Sequence, residues 1–197
     1  MAPPAVITDL VERFARHRDA YRSGGYNETQ LRREFIDPFF KALGWDVDNE
    51  RGYAEAYKDV IHEDAIRVAG GVKAPDYCFR IGGTRKFFVE AKRPSVDIRG
   101  GTHPAYQLRR YAWSAKLPLS ILTDFEELAV YDCQARPKHT DKAATARIKY
   151  YTHKDYGDRW DEIAGIFARE AVLQGSFDQY AESTRRKRGT TEVDDAF

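Results

Sequence analysis

Three things are scarce in this chain of 197 residues: cysteine, net charge and any long apolar run. Its two cysteines, Cys78 and Cys133, both fall in stretches that read as strands. Two reduced core thiols are therefore expected rather than a disulfide, and this suits a cytoplasmic protein. The formal charge is only +1, from 32 Lys and Arg against 31 Asp and Glu. That balance excludes a polycationic nucleic-acid coat and leaves room for an enzyme with a local basic strip. No apolar run approaches the roughly 20 residues of a membrane span, so no membrane partner is expected. The opening MAPPAVITDLVERF lacks the basic start and long apolar core of a secretory signal. Internal repeats and low-complexity blocks are absent. So are two familiar kinds of catalytic apparatus: no Ser or Cys sits with an evident His partner, and no Cys/His spacing suits zinc.

With 42% apolar and 32% charged residues, the chain can bury a proper core as one globular domain. Apolar spacing predicts a helix over Thr8 to Tyr21, with Thr8 or Asp9 as N-cap, broken by Ser23-Gly24-Gly25. A second helix runs from Asn27 to Leu43 and stops at Gly44. Pro38 inside it implies a kink or two short helices. Asp46 to Arg67 is polar, with a possible strand at Ala56 to Ile61 and a solvated loop at His62, Glu63 and Asp64. A helix from Thr102 or His103 to about Lys116 follows the loop Ser95 to Gly101. Short strands are expected at Pro118 to Thr123, Leu128 to Tyr131 and Ala146 to Tyr151, then a helix from Asp155 to Leu173. Residues 1–180 form the domain. Residues 181–197, basic and then acidic, read as a linker or frayed end. The sum is an α/β fold, a small mixed sheet flanked by helices.

Chemistry gathers on the stretch Lys73 to Arg93, KAPDYCFRIGGTRKFFVEAKR. It reads as a β-hairpin, Asp76 to Ile81 and Arg85 to Lys92, turning at Gly82-Gly83. Period-two alternation puts Glu90 and Lys92 on one face. Whether Asp76 joins them depends on one residue of register. A two-residue turn sets Asp76 opposite Val89, whereas a three-residue loop or a bulge sets it opposite Glu90. The expectation is convergence. Two carboxylates on one face make a hard anionic site of the kind magnesium prefers, and Lys92 beside them can orient a water. Glu28 lies in the apolar arc of Leu31, Phe35 and Phe39, either aimed at that site or simply favouring the helix N-terminus. On the helix after the hairpin, Gln107 and Tyr111 share a face, while Arg109, Arg110 and Lys116 alternate with Tyr106, Tyr111 and Trp113.

Pro75-Asp76 with Glu90-Ala91-Lys92 resembles the signature of the PD-(D/E)xK nucleases, whose restriction-endonuclease-like fold is an α-β-β-β-α-β core. The Gln107-x-x-x-Tyr111 spacing is similar to the extra motif of the RecB-like branch. YNETQLRREFIDPFFKALGWDV, APDYCFR, FFVEAKRP and QLRRYAWSAKLPLSILTDFEELAVYD resemble the N-terminal nuclease domain of type IIG restriction-modification enzymes and of type I restriction subunits. The resemblance covers about Ile7 to Tyr180. It implies magnesium-dependent hydrolysis of DNA phosphodiesters, with manganese as a substitute ion and a 5′-phosphate product. It also implies Asp76, Glu90, the Ala91 carbonyl and Glu28 as metal ligands, Glu28 through water. Lys92 would orient the water, and Gln107 would sit beside it, supported by Tyr111. Arg93, Arg109, Arg110 and Tyr111 become candidate DNA contacts. The implied partners are double-stranded DNA, methyltransferase and target-recognition domains in the same or another chain, and a second copy in a transient dimer. The methyltransferase and motor motifs of full-length relatives are not in this sequence, which is expected to be a domain of a longer protein or a short stand-alone relative. A repair or recombination nuclease of the same superfamily, and a catalytically silent nucleic-acid-binding module, stay open.

Overall fold

The computed structural model describes residues 2–194. Alternation along two strands, Tyr77–Ile81 (β4) and Thr84–Ala91 (β5), decides the layering. Tyr77, Phe79, Phe87, Val89 and Ala91 enter one core, Cys78 and Phe88 the other. A strand pair apolar on both faces must be covered on both. The other strands are Val60–His62 (β1), Ile66–Val68 (β2), Gly71–Lys73 (β3), Leu119–Thr123 (β6), Glu127–Asp132 (β7) and Arg147–Thr152 (β8). Six of them form one sheet in the order β1-β4-β5-β6-β7-β8. Every neighbouring pair is antiparallel except β5 and β6. That parallel pair needs a crossover, and the helix Thr102–Ser114 (α5) supplies it.

The larger core takes Ile7, Leu10 and Phe14 from the helix Ala5–Arg16 (α1), and Leu31, Phe35, Phe39 and Phe40 from the segment after Asn27. It is completed by Trp160–Phe167 (α6), Arg169–Leu173 (α7) and Ser176–Asp194 (α8). The smaller core lies across the sheet, where Ala105, Leu108 and Ala112 of α5 meet Ile66 and Val68. Both cysteines are free and buried there, as expected.

Helix bounds depart from the sequence reading where the backbone finds other partners. Pro4 precedes the first helix in an extended conformation, so α1 starts before Thr8 and Asp9, neither of which caps it. The predicted helix to Tyr21 divides at His17 into α1 and Arg18–Arg22 (α2). Asn27 caps Glu28–Leu31 (α3) in a reciprocal box with Gln30, both bonds being 2.9 Å. A π-turn, Arg32–Ile36, then leads into Asp37–Ala42 (α4). Pro38 has no N–H for the Glu34 carbonyl, and Arg13 Nη2 donates to it instead at 2.6 Å. The predicted helix Asp155 to Leu173 begins only at Trp160 and breaks at Ala168, where the Arg169 N–H turns to the Leu43 carbonyl. Residues 181–194, expected as a linker or frayed end, lie on α8. Phe177 and Ala181 pack into the core, Arg188 Nη1 reaches Asp132 Oδ2 at 2.9 Å, and α8 continues through Asp194. Residues 195–197 lie outside the described residues.

The smaller ribbon β2–β3 was hidden in the polar stretch. Its strands have three residues each, joined by Ala69-Gly70 at φ +48° and +81°, the signs of a type I′ turn.

Candidate active site

The hairpin register is set by a bulge. Ile81 pairs with Thr84, so Gly82-Gly83 is a two-residue turn with both φ positive, at +55° and +83°. A Cβ on Gly83 would lie 2.6 Å from the Ala56 carbonyl oxygen, so glycine is required there by space as well as by conformation. The tight turn alone would have put Asp76 across from Val89. However, Arg80 pairs with Arg85 while Phe79 pairs with Phe87, leaving Lys86 as an extra residue on β5. Beyond the bulge Tyr77 opposes Val89, and continuing that register sets Asp76 opposite Glu90.

The side chains meet accordingly. Asp76 Oδ2 accepts the Ala91 N–H at 2.8 Å, in place of a strand partner that ended at Tyr77. Glu90, 3% exposed, accepts from Lys92 Nζ at 2.9 Å and from Gln107 Nε2 at 2.7 Å, both on Oε1. Its Oε2 lies 3.4 Å from the Asp76 N–H. The position is the end of the β5-α5-β6 crossover, outside the carboxyl ends of two parallel strands, where α/β sheets commonly place their sites.

Electrostatics mark the cluster as short of positive charge. Burial, then the nearby Asp76 charge, pushes the Glu90 carboxyl up to about 7, against the pull of Lys92. Asp76 is raised by burial, opposed by the Ala91 amide and Arg32. Half-buried Glu28 is raised by burial and then by Asp76, with Lys92, Arg32 and Arg93 pulling the other way. Lys92 rises although burial opposes it, because Glu90 holds its charge. Three carboxyls whose protonation is favoured by burial, and at Glu28 and Glu90 next by the Asp76 charge, are chemically suited to a divalent cation.

The donor set fits a hard ion. Asp76, Glu90 and Glu28 offer only oxygen, and no thiol or imidazole is interposed. Among the described residues no three His, Cys, Asp or Glu converge closely enough to cage a metal. A site with few protein ligands suits magnesium, which keeps several of its waters.

One residue that the sequence reading passed over completes the geometry. Arg32 donates to Asp76 Oδ1 at 3.3 Å and to the Asp76 carbonyl at 3.2 Å, and its guanidinium stands 4.7 Å over the Tyr77 ring. His62 Nε2 donates to the Val47 carbonyl at 3.0 Å, and its Nδ1 lies 3.5 Å from Arg32 Nη2. Glu63 Oε1 is 3.8 Å from Arg32 Nη1, and Asp64 pairs with Arg85 at 2.7 Å. His62 and Glu63 are exposed, as expected of a solvated loop, and the loop carries ion pairs to Arg32 and Arg85 as well. The available signal was spacing: Arg32 follows Glu28 by four residues, one face of a helix. Replacing Arg32 with alanine should cost about 2 kcal/mol, because Asp76 is left buried without its cation. A thermal melt should fall by several degrees, and Arg32→Lys should recover only part, since an ammonium lacks the fork that spans carboxylate and carbonyl.

The remaining candidates separate. Arg93 is exposed beside Lys92 and Arg110 is half-buried on α5. Tyr111 is only 8% exposed; burial and then the Glu90 charge raise its phenol, with the Gln107 side chain opposing. Arg109 is a correction. It is 3% exposed with Nη1 2.8 Å from Asp141 Oδ2, an internal ion pair rather than a free surface cation. Its neighbour Leu108 is fully buried, and α5 turns both residues inward.

Comparison with known proteins adds an independent line. The chain is 43% identical over 190 residues to the type II restriction enzyme and methyltransferase RM.Eco57I of Escherichia coli. The match takes in 95% of this chain and 19% of that protein, so the chain spans about a fifth of its relative's length. No protein-family model matches the chain, and no solved structure does. Among the described residues, no helix is long and apolar enough to cross a membrane.

Proposed function

We propose that the chain is the DNA-cleaving domain of a restriction-modification protein, a magnesium-dependent endonuclease of PD-(D/E)xK type. The observation that carries this reading is the convergence of Asp76, Glu90, Lys92 and Gln107 on one sheet end, brought about by the bulge at Lys86. The similarity to a restriction enzyme fused to a methyltransferase supports the choice of DNA as substrate and of restriction over repair.

Asp76 and Glu90 would hold the ion, with the Ala91 carbonyl and, through water, Glu28. Magnesium, or manganese in its place, supplies a Lewis acid that acidifies water and offsets phosphate charge. Lys92, anchored at 2.9 Å on Glu90, presents the remaining donors of its ammonium to the attacking water and to the phosphoryl oxygens. Gln107 donates an amide N–H to Glu90, and its carbonyl oxygen would accept from that water. Arg32 holds Asp76 in place from behind. Recognition, methylation and much of the DNA grip then belong to other domains, in the same chain or a partner, consistent with a net charge of +1. With one such site per chain, cutting both strands calls for a second copy, assembled transiently on DNA.

The test is nicking of supercoiled plasmid with magnesium and with EDTA, by the chain alone and fused to an unrelated sequence-specific DNA-binding domain. Relaxed circles with 5′-phosphate ends should form only with the metal. Cleavage that persists in EDTA, or that Asp76→Ala leaves unchanged, would sink the assignment.

A further inference from the structure

Helix α5 presents a second feature next to Gln107. Trp45 and Trp160 are buried, but Trp113 is 39% exposed. It borders a groove of about 200 Å³ between α5 and the turn of the β2–β3 ribbon, walled by Val68, Ala69, Tyr106, Arg110 and Arg136. No acidic residue lines it. The Arg136 guanidinium stands 5.4 Å over the Trp113 ring. Three other arginines are held by carboxylates: Arg85 by Asp64, Arg109 by Asp141 and Arg188 by Asp132. Among the described residues Arg110 and Arg136 have no such partner. Two guanidiniums without a carboxylate partner thus stand beside an exposed indole in a groove with no acidic wall.

The groove is close to the candidate site. Arg110 and Trp113 follow Gln107 by three and six residues, about 4.5 and 9 Å along the helix. That is about one to three nucleotides at the roughly 3.4 Å rise of a stacked strand. Flat aromatic surface flanked by arginines suits unpaired nucleotides, whose bases stack while their phosphates take the charge. A closed duplex hides its base faces and could use only the arginines.

We propose that this groove binds a short run of unpaired DNA, a base against Trp113 and phosphates on Arg110 and Arg136, guiding one strand at the cleavage site. The guiding role rests on the nuclease reading, whereas the binding itself does not. The experiment is therefore run in EDTA: anisotropy of a labelled oligo-dT and of a duplex of equal length, titrated with the full chain. Wild type should prefer the single strand. Trp113→Ala should weaken oligo-dT binding roughly tenfold and Trp113→Phe much less. The Arg110→Ala/Arg136→Ala double variant should lower the salt slope by about 1.4, the share of two phosphates on a single strand. Circular dichroism melts establish that each variant is folded. No oligo-dT binding by wild type at low salt, unchanged affinity in folded variants, or a loss confined to the duplex would each overturn the proposal. A chain that binds oligo-dT in this way but neither cuts nor binds magnesium would overturn the nuclease reading and leave the groove standing.

Discussion

Lys92→Ala is expected to slow magnesium-dependent nicking by about 100- to 1000-fold while the fold is kept, the loss typical of removing one donor from a site where charge develops. The fold should survive because Glu90 does not lose its only partner. Gln107 Nε2 still donates to the same oxygen at 2.7 Å, and the Asp76 N–H stands near the other. Without the ammonium the Glu90 carboxyl also moves further up, since Lys92 is one of the groups pulling it down. The variant thus holds its proton to higher pH and tolerates burial as a neutral acid. Rate is lost and melting temperature changes little. A Lys92→Ala chain that nicks as fast as wild type would remove Lys92 from the chemistry.

Glu90→Gln should act in opposite directions on activity and stability. In the folded chain burial first, and then the Asp76 charge, lifts the Glu90 carboxyl from 4.5 to about 7. A raised carboxyl binds its proton more tightly folded than unfolded. Stability contributed by this group is therefore present below about pH 4.5 and lost as pH rises to about 7. Glutamine cannot ionise, yet it keeps an oxygen for Lys92 and Gln107. In EDTA the variant should be more stable than wild type at pH 8, by on the order of 2 kcal/mol, and the difference should shrink toward pH 5. Urea melts across that range check it. Nicking should vanish at every pH. Parallel stability curves for the two proteins would show that Glu90 is not a strained acid in the metal-free chain.

The parts of this site that could be read in the sequence are those set by short spacings. Glu90 and Lys92 share a face by period two, Gln107 and Tyr111 by one helical turn, and Asn27 with Gln30 announces a helix start immediately before Glu28. The register of Asp76 was narrowed to a three-residue loop or a bulge, and nothing in GGTRK distinguishes them. A bulge arises from twist and tertiary packing, which short spacings do not encode. Arg32 was missed, and His62 and Glu63 were read only as a loop, because their meeting with Arg32 is tertiary: 30 residues separate Arg32 from His62. Arg109 was misread for the complementary reason. A basic residue on a mixed helix looks solvated until Asp141, 32 residues away, folds over it. The tail 181–197 looks like a linker by composition, but two side chains, Ala181 and Arg188, fasten its helix to the domain.

The central claim is that Asp76 and Glu90 form a divalent-cation site, and it can be tested without any DNA or partner domain. Magnesium, and manganese in a parallel run, is titrated calorimetrically into the wild-type chain and into Asp76→Ala at pH 7.5. Saturable binding by wild type and none by Asp76→Ala is the predicted result. The same isotherm from both proteins would contradict it.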